Sequence, residues 1–150
     1  MPSPLSAAFG LLLSLLTFWQ GVPPADASLF HFEGPVPPEL GVQAGQLAPC
    51  GSPAHCSRAD WPVNDPQAAL SLLMPVVLNM EGVEVVETGG GYLHATATSR
   101  IFGFVDDLEL YADEKAGVLQ ARSVSRLGDS DLGVNAQRLE RIREALESLD

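Results

Sequence analysis

The chain has 150 residues, 46% of them hydrophobic and 18% charged, a composition typical of one globular domain rather than of a disordered chain. Its formal net charge is −11 at pH 7, and because such a chain repels a phosphate backbone, we expect no nucleic-acid partner. Seven of the eight basic residues lie from Arg100 onward, so a local cationic surface is still expected in the last third of the sequence.

The N-terminus has the pattern of a secretory signal peptide. The apolar run SAAFGLLLSLLTFWQGV is followed by Ala25-Asp26-Ala27, which has the small-x-small form of a cleavage site before Ser28. The run is somewhat short for a transmembrane helix, which needs about 20 apolar residues. We therefore predict a signal peptide over residues 1–27 and an exported protein. A membrane anchor formed by an uncleaved N-terminal segment is the alternative.

Residues 28–64 are rich in Pro, Gly, Ala and Ser and show no lasting helical or strand period, which predicts an extended lead-in. Cys50 and Cys56 are closely spaced, and in an exported chain this predicts a disulfide inside the lead-in. A zinc site built from these cysteines and His55 would lack a fourth ligand, so we predict no metal site.

Residues 65–150 are predicted to form the folded domain, which opens with a helix. Asp65 can cap this helix, and Pro66 suits its first position because the missing N–H has no partner there. Pro75 is predicted to kink or end it. The residues of its apolar stripe are Leu70, Leu72, Leu73, Val76 and Val77.

Four strand-like runs follow, GVEVVET, YLHATATSR, FVDDLELYA and VLQARSVSR, separated by short turns that favour antiparallel pairing. The final segment, NAQRLERIREALESL, is an amphipathic helix by its period. Its apolar face contains Leu139, Ile142, Leu146 and Leu149. The predicted fold is therefore an α+β two-layer sandwich, a four-stranded antiparallel meander sheet with one helix before it and one after it.

Alternation along the strands assigns the two faces of this sheet. The residues predicted to face the helices are Leu93, Ala95, Ala97, Leu108, Leu110, Leu119 and Ala121. The residues predicted on the other face are His94, Thr96, Thr98, Arg100, Asp107, Glu109, Gln120, Arg122 and Arg126. The ordinary interpretation of such a polar face is a solvated surface with weak cross-strand ion pairs.

Two long segments, YLHATATSRIFGFVDDLEL and ARSVSRLGDSDLGVNAQR, resemble the core motifs of DUF1499, a domain family of unknown function in bacteria and plants. The matching residues of the first motif are Tyr92, Leu93, His94, Ala95, Thr98, Ser99, Arg100, Phe102, Gly103, Phe104, Asp106 and Asp107. Those of the second are Arg122, Ser123, Ser125, Arg126, Gly128, Ser130, Asp131, Leu132, Gly133, Asn135 and Arg138. The resemblance covers roughly residues 45–148.

The segment QLAPCGSPAHC resembles the cysteine pair of that family, which usually reads C-P-x-S-P-N-C. Here Ser52-Pro53 stands one place early and His55 replaces the Asn, which leaves the disulfide in place and weakens any ligand role for the loop. The lead-in ELGVQAGQLAPC is most similar to cyanobacterial and plastid members, which implies a periplasmic or thylakoid-lumen location. The resemblance implies no activity.

The segment RSVSRLGDSDLGVNAQR joins a strand to a helix through a glycine-flanked turn, and a helix N-terminus attracts anions. We predict an anion-recognising end of the sheet, with an apolar wall from Tyr92, Phe102 and Phe104. Its ligand would be an anionic small molecule or a lipid head group, held without a cofactor. The predicted ligand-binding residues are Arg100, Arg122, Arg126, Asp131, Asn135 and Arg138.

Three other interpretations stay open. The turn can be plain architecture, with Asp131 or Asn135 as a helix cap and the arginines in structural ion pairs. A small hydrolase-like enzyme would use His94 with Asp107, although no nucleophile elbow or metal signature accompanies them. A structural or assembly factor would bind a membrane-associated protein complex through the acidic lead-in. The sequence favours a non-catalytic binding or interaction module.

Overall fold

A computed structural model of the protein describes residues 30–149, so the predicted signal peptide lies outside the described residues. The elements in chain order are β1 (Cys56–Pro62), α1 (Pro66–Leu78), β2 (Val83–Gly89), β3 (Tyr92–Thr98), β4 (Val105–Asp113), β5 (Val118–Ser125) and α2 (Val134–Leu149). Neither helix of this described part is long and apolar enough to span a membrane.

The five strands form one antiparallel sheet in the order β1-β5-β4-β3-β2. This confirms the predicted α+β class and the meander from β2 to β5. The predicted number of four strands is wrong, because β1 adds a fifth strand at the edge beside β5. Its sequence, CSRADWP, is short, polar and ends in Pro62. Proline is tolerated there because an edge strand pairs on one side only.

Helix α1 starts where its sequence predicts. The side chain of Asp65 accepts a hydrogen bond of 2.9 Å from the N–H of Ala68, and Pro66 occupies the first turn. The helix does not end at Pro75 but continues to Leu78. Pro75 cannot donate to the carbonyl of Ser71, but both residues lie on the exposed side, where water can bind that carbonyl instead.

Both helices pack against the same face of the sheet and enclose the hydrophobic core. All seven residues predicted to face the helices are buried. They meet an apolar stripe from each helix, with Leu73 and Val77 from α1 and Leu139 and Ile142 from α2 completely or almost completely buried. This packing fixes the relative positions of the C-terminal end of α1 and the N-terminal part of α2.

The other face of the sheet is covered by residues 30–49, which we call the strap. The strap contacts the sheet through polar groups and through the buried side chain of Leu47. Glu39 pairs with Arg122 at 2.8 Å, and the backbone N–H groups of Gly41 and Leu47 donate to side chains of β4 and β5. The predicted disulfide is present and joins Cys50, just after the strap, to Cys56 at the start of β1. The polar face is therefore buried.

Candidate functional site

Between the strap and the sheet lies a buried polar layer that contains two groups of ion pairs. In the first group, Arg126 donates from Nε to Asp107 Oδ2 at 2.8 Å, and His94 Nε2 lies 2.8 Å from Asp107 Oδ1. Arg126 also reaches Glu33 of the strap at 3.3 Å. Burial by itself raises the pKa of the Asp107 carboxyl. The hydrogen bonds from Arg126 and His94 outweigh it, so this pKa lies below its usual value.

The second group is centred on Glu109. Arg122 donates to Glu109 Oε2 at 2.9 Å and to Glu39 Oε1 of the strap at 2.8 Å, and Tyr92 donates from Oη to Glu109 Oε1 at 2.8 Å. Burial and the neighbouring Glu109 carboxylate raise the pKa of the Tyr92 hydroxyl. Arg122 and Glu109 are both inaccessible to solvent. The guanidinium of Arg122 is therefore held between two carboxylates.

This layer accounts for four of the residues that the sequence offered as functional. Arg122 and Arg126, predicted to bind a ligand, are each paired with carboxylates beneath the strap. His94 and Asp107, the alternative acid–base pair, are in contact. No hydroxyl group within residues 30–149 hydrogen-bonds to His94. The layer binds the strap to the sheet.

Asp131 and Asn135 organise the start of α2. The Asp131 carboxylate accepts from the N–H of Gly133 at 2.8 Å and from the Asn135 side chain at 2.7 Å. Burial raises the pKa of Asp131, but these hydrogen bonds outweigh it and the pKa lies below its usual value. The buried Asn135 Oδ1 accepts from Ser123 and from Arg138 Nη1, the latter at 2.8 Å. These residues orient Arg138.

A cleft of about 380 Å³ opens between the end of α1, the beginning of α2 and the turn from β3 to β4. Its lining residues are Val76, Met80, Glu81, Val83, Ala97, Thr98, Ser99, Arg100, Asp106, Val134, Gln137, Arg138 and Arg141. The four from α2 are spaced i, i+3, i+4 and i+7, which places them on one side of that helix. One face of α2 thus forms a wall of the cleft.

Three arginines line this cleft in three different ways. Arg138 is almost buried, and it donates from Nη2 to Asp106 at 2.8 Å and from Nη1 to Ser123. Arg100 is 77% exposed and lies 3.8 Å from Glu81. Arg141 is exposed and forms no ion pair within residues 30–149.

The lining has three cationic side chains and two carboxylates, those of Asp106 and Glu81. The local charge is therefore positive in a chain whose net charge is −11. This charge comes from the arginines and not from the start of α2, because the Asp131 carboxylate already accepts from the N–H groups of Gly133 and Asn135 there. The electrostatics of this site favour an anion.

An apolar wall of the cleft is formed by α1, β2 and their connection, with Val76, Met80 and Val83. The sequence had predicted a wall from aromatic residues that the structure places elsewhere. Tyr92 belongs to the polar layer, and Phe102 and Phe104 lie on the exposed surface. A cleft with cations on one side and aliphatic side chains on the other can hold an organic anion.

Of the six predicted ligand-binding residues, the structure brings Arg100 and Arg138 to this cleft. Arg122 and Arg126 lie on the opposite face of the sheet. Asn135 accepts a hydrogen bond from Arg138, and Asp131 in turn accepts one from Asn135, so these two residues position Arg138. Sequence reasoning missed Arg141. The signal that could have found it is the helical spacing of Arg138 and Arg141, three residues apart.

A family model described as "Protein of unknown function (DUF1499)" matches residues 40–146 of the chain. The match includes every residue that lines the cleft. No curated protein and no solved structure matches the chain.

Proposed function

Since the chain belongs to the DUF1499 family, whose function is unknown, we propose from its site that it is a binding module for a small organic anion. The ligand would occupy the cleft between α1, α2 and the β3–β4 turn. One observation carries the proposal, namely that Arg100, Arg138 and Arg141 line a single cleft in a strongly acidic chain. Arg100 and Arg141 are free to contact a ligand, because Arg100 is exposed and lies 3.8 Å from Glu81, and Arg141 forms no ion pair within residues 30–149. Arg122 and Arg126, by contrast, are each paired with two carboxylates.

Arg138 suits the head group because its guanidinium is already fixed by Asp106, Ser123 and Asn135. A planar, oriented guanidinium recognises a carboxylate or a phosphate in a defined direction. Arg100 and Arg141 are exposed and can close on the ligand from the rim. Preorganisation at Arg138 reduces the entropy that binding loses.

The aliphatic side of the cleft suits the remainder of the ligand. Val76 and Met80 come from the end of α1 and its next residues, and Val83 comes from the start of β2. The volume of about 380 Å³ is near the lower limit of ligand pockets, which favours a small molecule with a short apolar portion.

We place this activity outside the cytoplasm, in a periplasm or thylakoid lumen. The Cys50–Cys56 disulfide supports that location, since disulfides persist mainly in oxidising compartments. The apolar run and the small-x-small site before Ser28 support export.

The test compares two substitutions on α2 that remove the same charge. Arg141→Gln changes the cleft, whereas Arg143→Gln changes a partly exposed residue outside the cleft that pairs with Glu140 and Glu147. The probe is hexyl phosphate, with inorganic phosphate and hexanol as its polar and apolar halves. We expect hexyl phosphate to raise the Tm of the wild type and of Arg143→Gln more than either half does. In Arg141→Gln we expect several-fold weaker binding with an unchanged Tm of the free protein.

The proposal is wrong if hexyl phosphate leaves the wild-type Tm unchanged, or if Arg141→Gln and Arg143→Gln respond alike. Equal shifts would mean that the anion responds to the charge of the helix as a whole and not to the cleft.

A further inference from the structure

Four phenylalanine rings form an exposed cluster, which we call the aromatic patch. Phe30, Phe32, Phe102 and Phe104 are 43 to 55% exposed. Their ring centroids lie 6.3 Å apart between Phe30 and Phe32, 5.6 Å between Phe32 and Phe104, and 5.8 Å between Phe102 and Phe104. The neighbouring Ile101 is 56% exposed. The rings contact one another but bury little of their area against the core.

The backbone holds these rings in place. Phe32 pairs with Phe104 in a parallel bridge, and the N–H of Phe32 donates to the carbonyl of Gly103 at 3.1 Å. The turn between β3 and β4 is closed by the N–H of Phe104, which donates to Ser99 Oγ at 2.9 Å. The patch is therefore an ordered surface made of the start of the strap and the β3–β4 turn. Contiguous exposed apolar surface of this kind marks an interaction site.

The position of the patch in the chain indicates what it contacts. The apolar run of residues 6–22 ends eight residues before Phe30. Eight residues span at most about 28 Å, so in the uncleaved chain, the membrane-anchored alternative, any bilayer that this run enters lies within reach of the patch. We propose that the aromatic patch docks on the interfacial region of a lipid bilayer. Phe and other large apolar side chains stabilise such docking by burial at the boundary between head groups and acyl chains.

The charges around the patch indicate which lipids it needs. The exposed neighbours are His31, Glu33 and Arg100, which together give no strong positive field. The whole chain has a net charge of −11 and is repelled by anionic head groups. Docking therefore depends on apolar burial, and a zwitterionic bilayer is sufficient. The proposal does not depend on a ligand in the cleft.

The experiment uses the full chain and compares two matched tryptophan probes. Phe102→Trp places the probe in the patch. Leu72→Trp places it at a position of similar exposure, 49% against 52%, on α1, which packs on the sheet face opposite the strap. Each variant is mixed with phosphatidylcholine vesicles whose acyl chains are brominated. Trp19 and Trp61 are common to both, so the difference reports the added probe.

We expect bromine to quench the Phe102→Trp probe several-fold more strongly than the Leu72→Trp probe, with a blue shift of its emission. Phosphatidylglycerol should not increase the quenching. Ile101→Trp, in the same patch, should behave as Phe102→Trp does, and it replaces that variant if the latter has a lowered Tm.

Two results would overturn the proposal. Equal quenching at the patch and at Leu72 would show that only the N-terminal apolar run contacts lipid. A concentration-dependent blue shift of Phe102→Trp in the absence of vesicles, without quenching when they are added, would show that the patch pairs with a second copy of the chain.

Discussion

Arg122 is the largest side chain that the described fold buries completely, and it shows how the polar face is stabilised. Its guanidinium lies between Glu109 and Glu39, and its Nε has no partner within residues 30–149. A buried ion pair is a weak source of net stability, but removal of one partner strands the other charge. The structural role of Arg122 therefore depends on Glu109.

A double-mutant cycle tests this dependence. We expect Arg122→Met to lower the free energy of unfolding by about 3–5 kcal/mol, because it leaves the Glu109 carboxylate buried and unpaired. Glu109→Gln keeps an oxygen that can accept from Tyr92 and from the N–H of Gly41. The double variant should therefore lose less stability than the sum of the single losses. Urea unfolding that gives additive losses would contradict this account.

The lowered pKa of Asp107 predicts how stability depends on pH. The folded protein binds this proton more weakly than the unfolded chain does, so acid favours unfolding. The contribution is fully present above the ordinary Asp pKa of about 3.9, and it is lost as the pH falls through the lower folded value. We expect the free energy of unfolding to decrease below about pH 4, with a shallower decrease in Asp107→Asn. The free energy of unfolding is measured by urea titration at each pH. An equal decrease with falling pH in the wild type and in Asp107→Asn would refute this prediction.

At the scale of the elements, the cleft depends on the tight connection between α1 and β2. Gly82 has a φ of +72°, and a Cβ there would lie 2.2 Å from the carbonyl oxygen of Thr98. The same two residues are joined by a backbone hydrogen bond of 2.8 Å, and Thr98 lines the cleft. Close backbone approach at this point sets the distance between α1 and the end of β3.

Gly82→Ala should therefore reduce the free energy of unfolding by more than backbone strain alone, which is about 1–3 kcal/mol. Gly117 is the matched control, since its φ is +67° and a Cβ there would meet nothing within 4 Å. We expect Gly117→Ala to show the strain without the clash. Thermal unfolding of the two variants measures the difference, and equal losses would mean that contact with Thr98 is unimportant.

The strap is held by polar contacts, by the buried side chain of Leu47, and by the disulfide that begins just after it. Reduction of the Cys50–Cys56 disulfide should lower stability by about 2–3 kcal/mol, the value for a short loop. Amide exchange should rise first at Gly41 and Leu47, whose N–H groups donate to side chains of the sheet. The amides of α2 should keep their protection. An equal rise of amide exchange in the strap and in α2 would show that the strap does not unfold separately.

The period of the strands was enough to predict which face of the sheet carries the core, because burial of apolar side chains decides that question locally. It could not predict that the polar face is buried as well. The cover is the strap, a Pro- and Gly-rich segment with no period, and its contacts with Arg122 and Arg126 span 83 and 93 residues. Strand β1 was missed for a similar reason, since its polar sequence is stabilised by pairing with β5.

At the scale of the whole molecule, the sequence predicted only some of the residues that line the cleft. Arg100 and Arg138 were identified because Arg and Gly cluster at a strand end and a helix start. Met80 and Arg141 were not, since each reaches the site only when α1 and α2 pack on the same sheet face. Tertiary packing therefore separates the cationic cleft on the helix side from the polar layer on the strap side.

That separation is the central claim, and ¹⁵N chemical-shift mapping with hexyl phosphate tests it most directly. We predict shifts in the backbone amides of residues 97–100 and 134–141 and in the Nε–H signal of Arg138, the guanidinium that the cleft holds in place. The Nε–H signals of Arg122 and Arg126, beneath the strap, should not move. Shifts concentrated at those two arginines, or no shifts at all, would contradict the account.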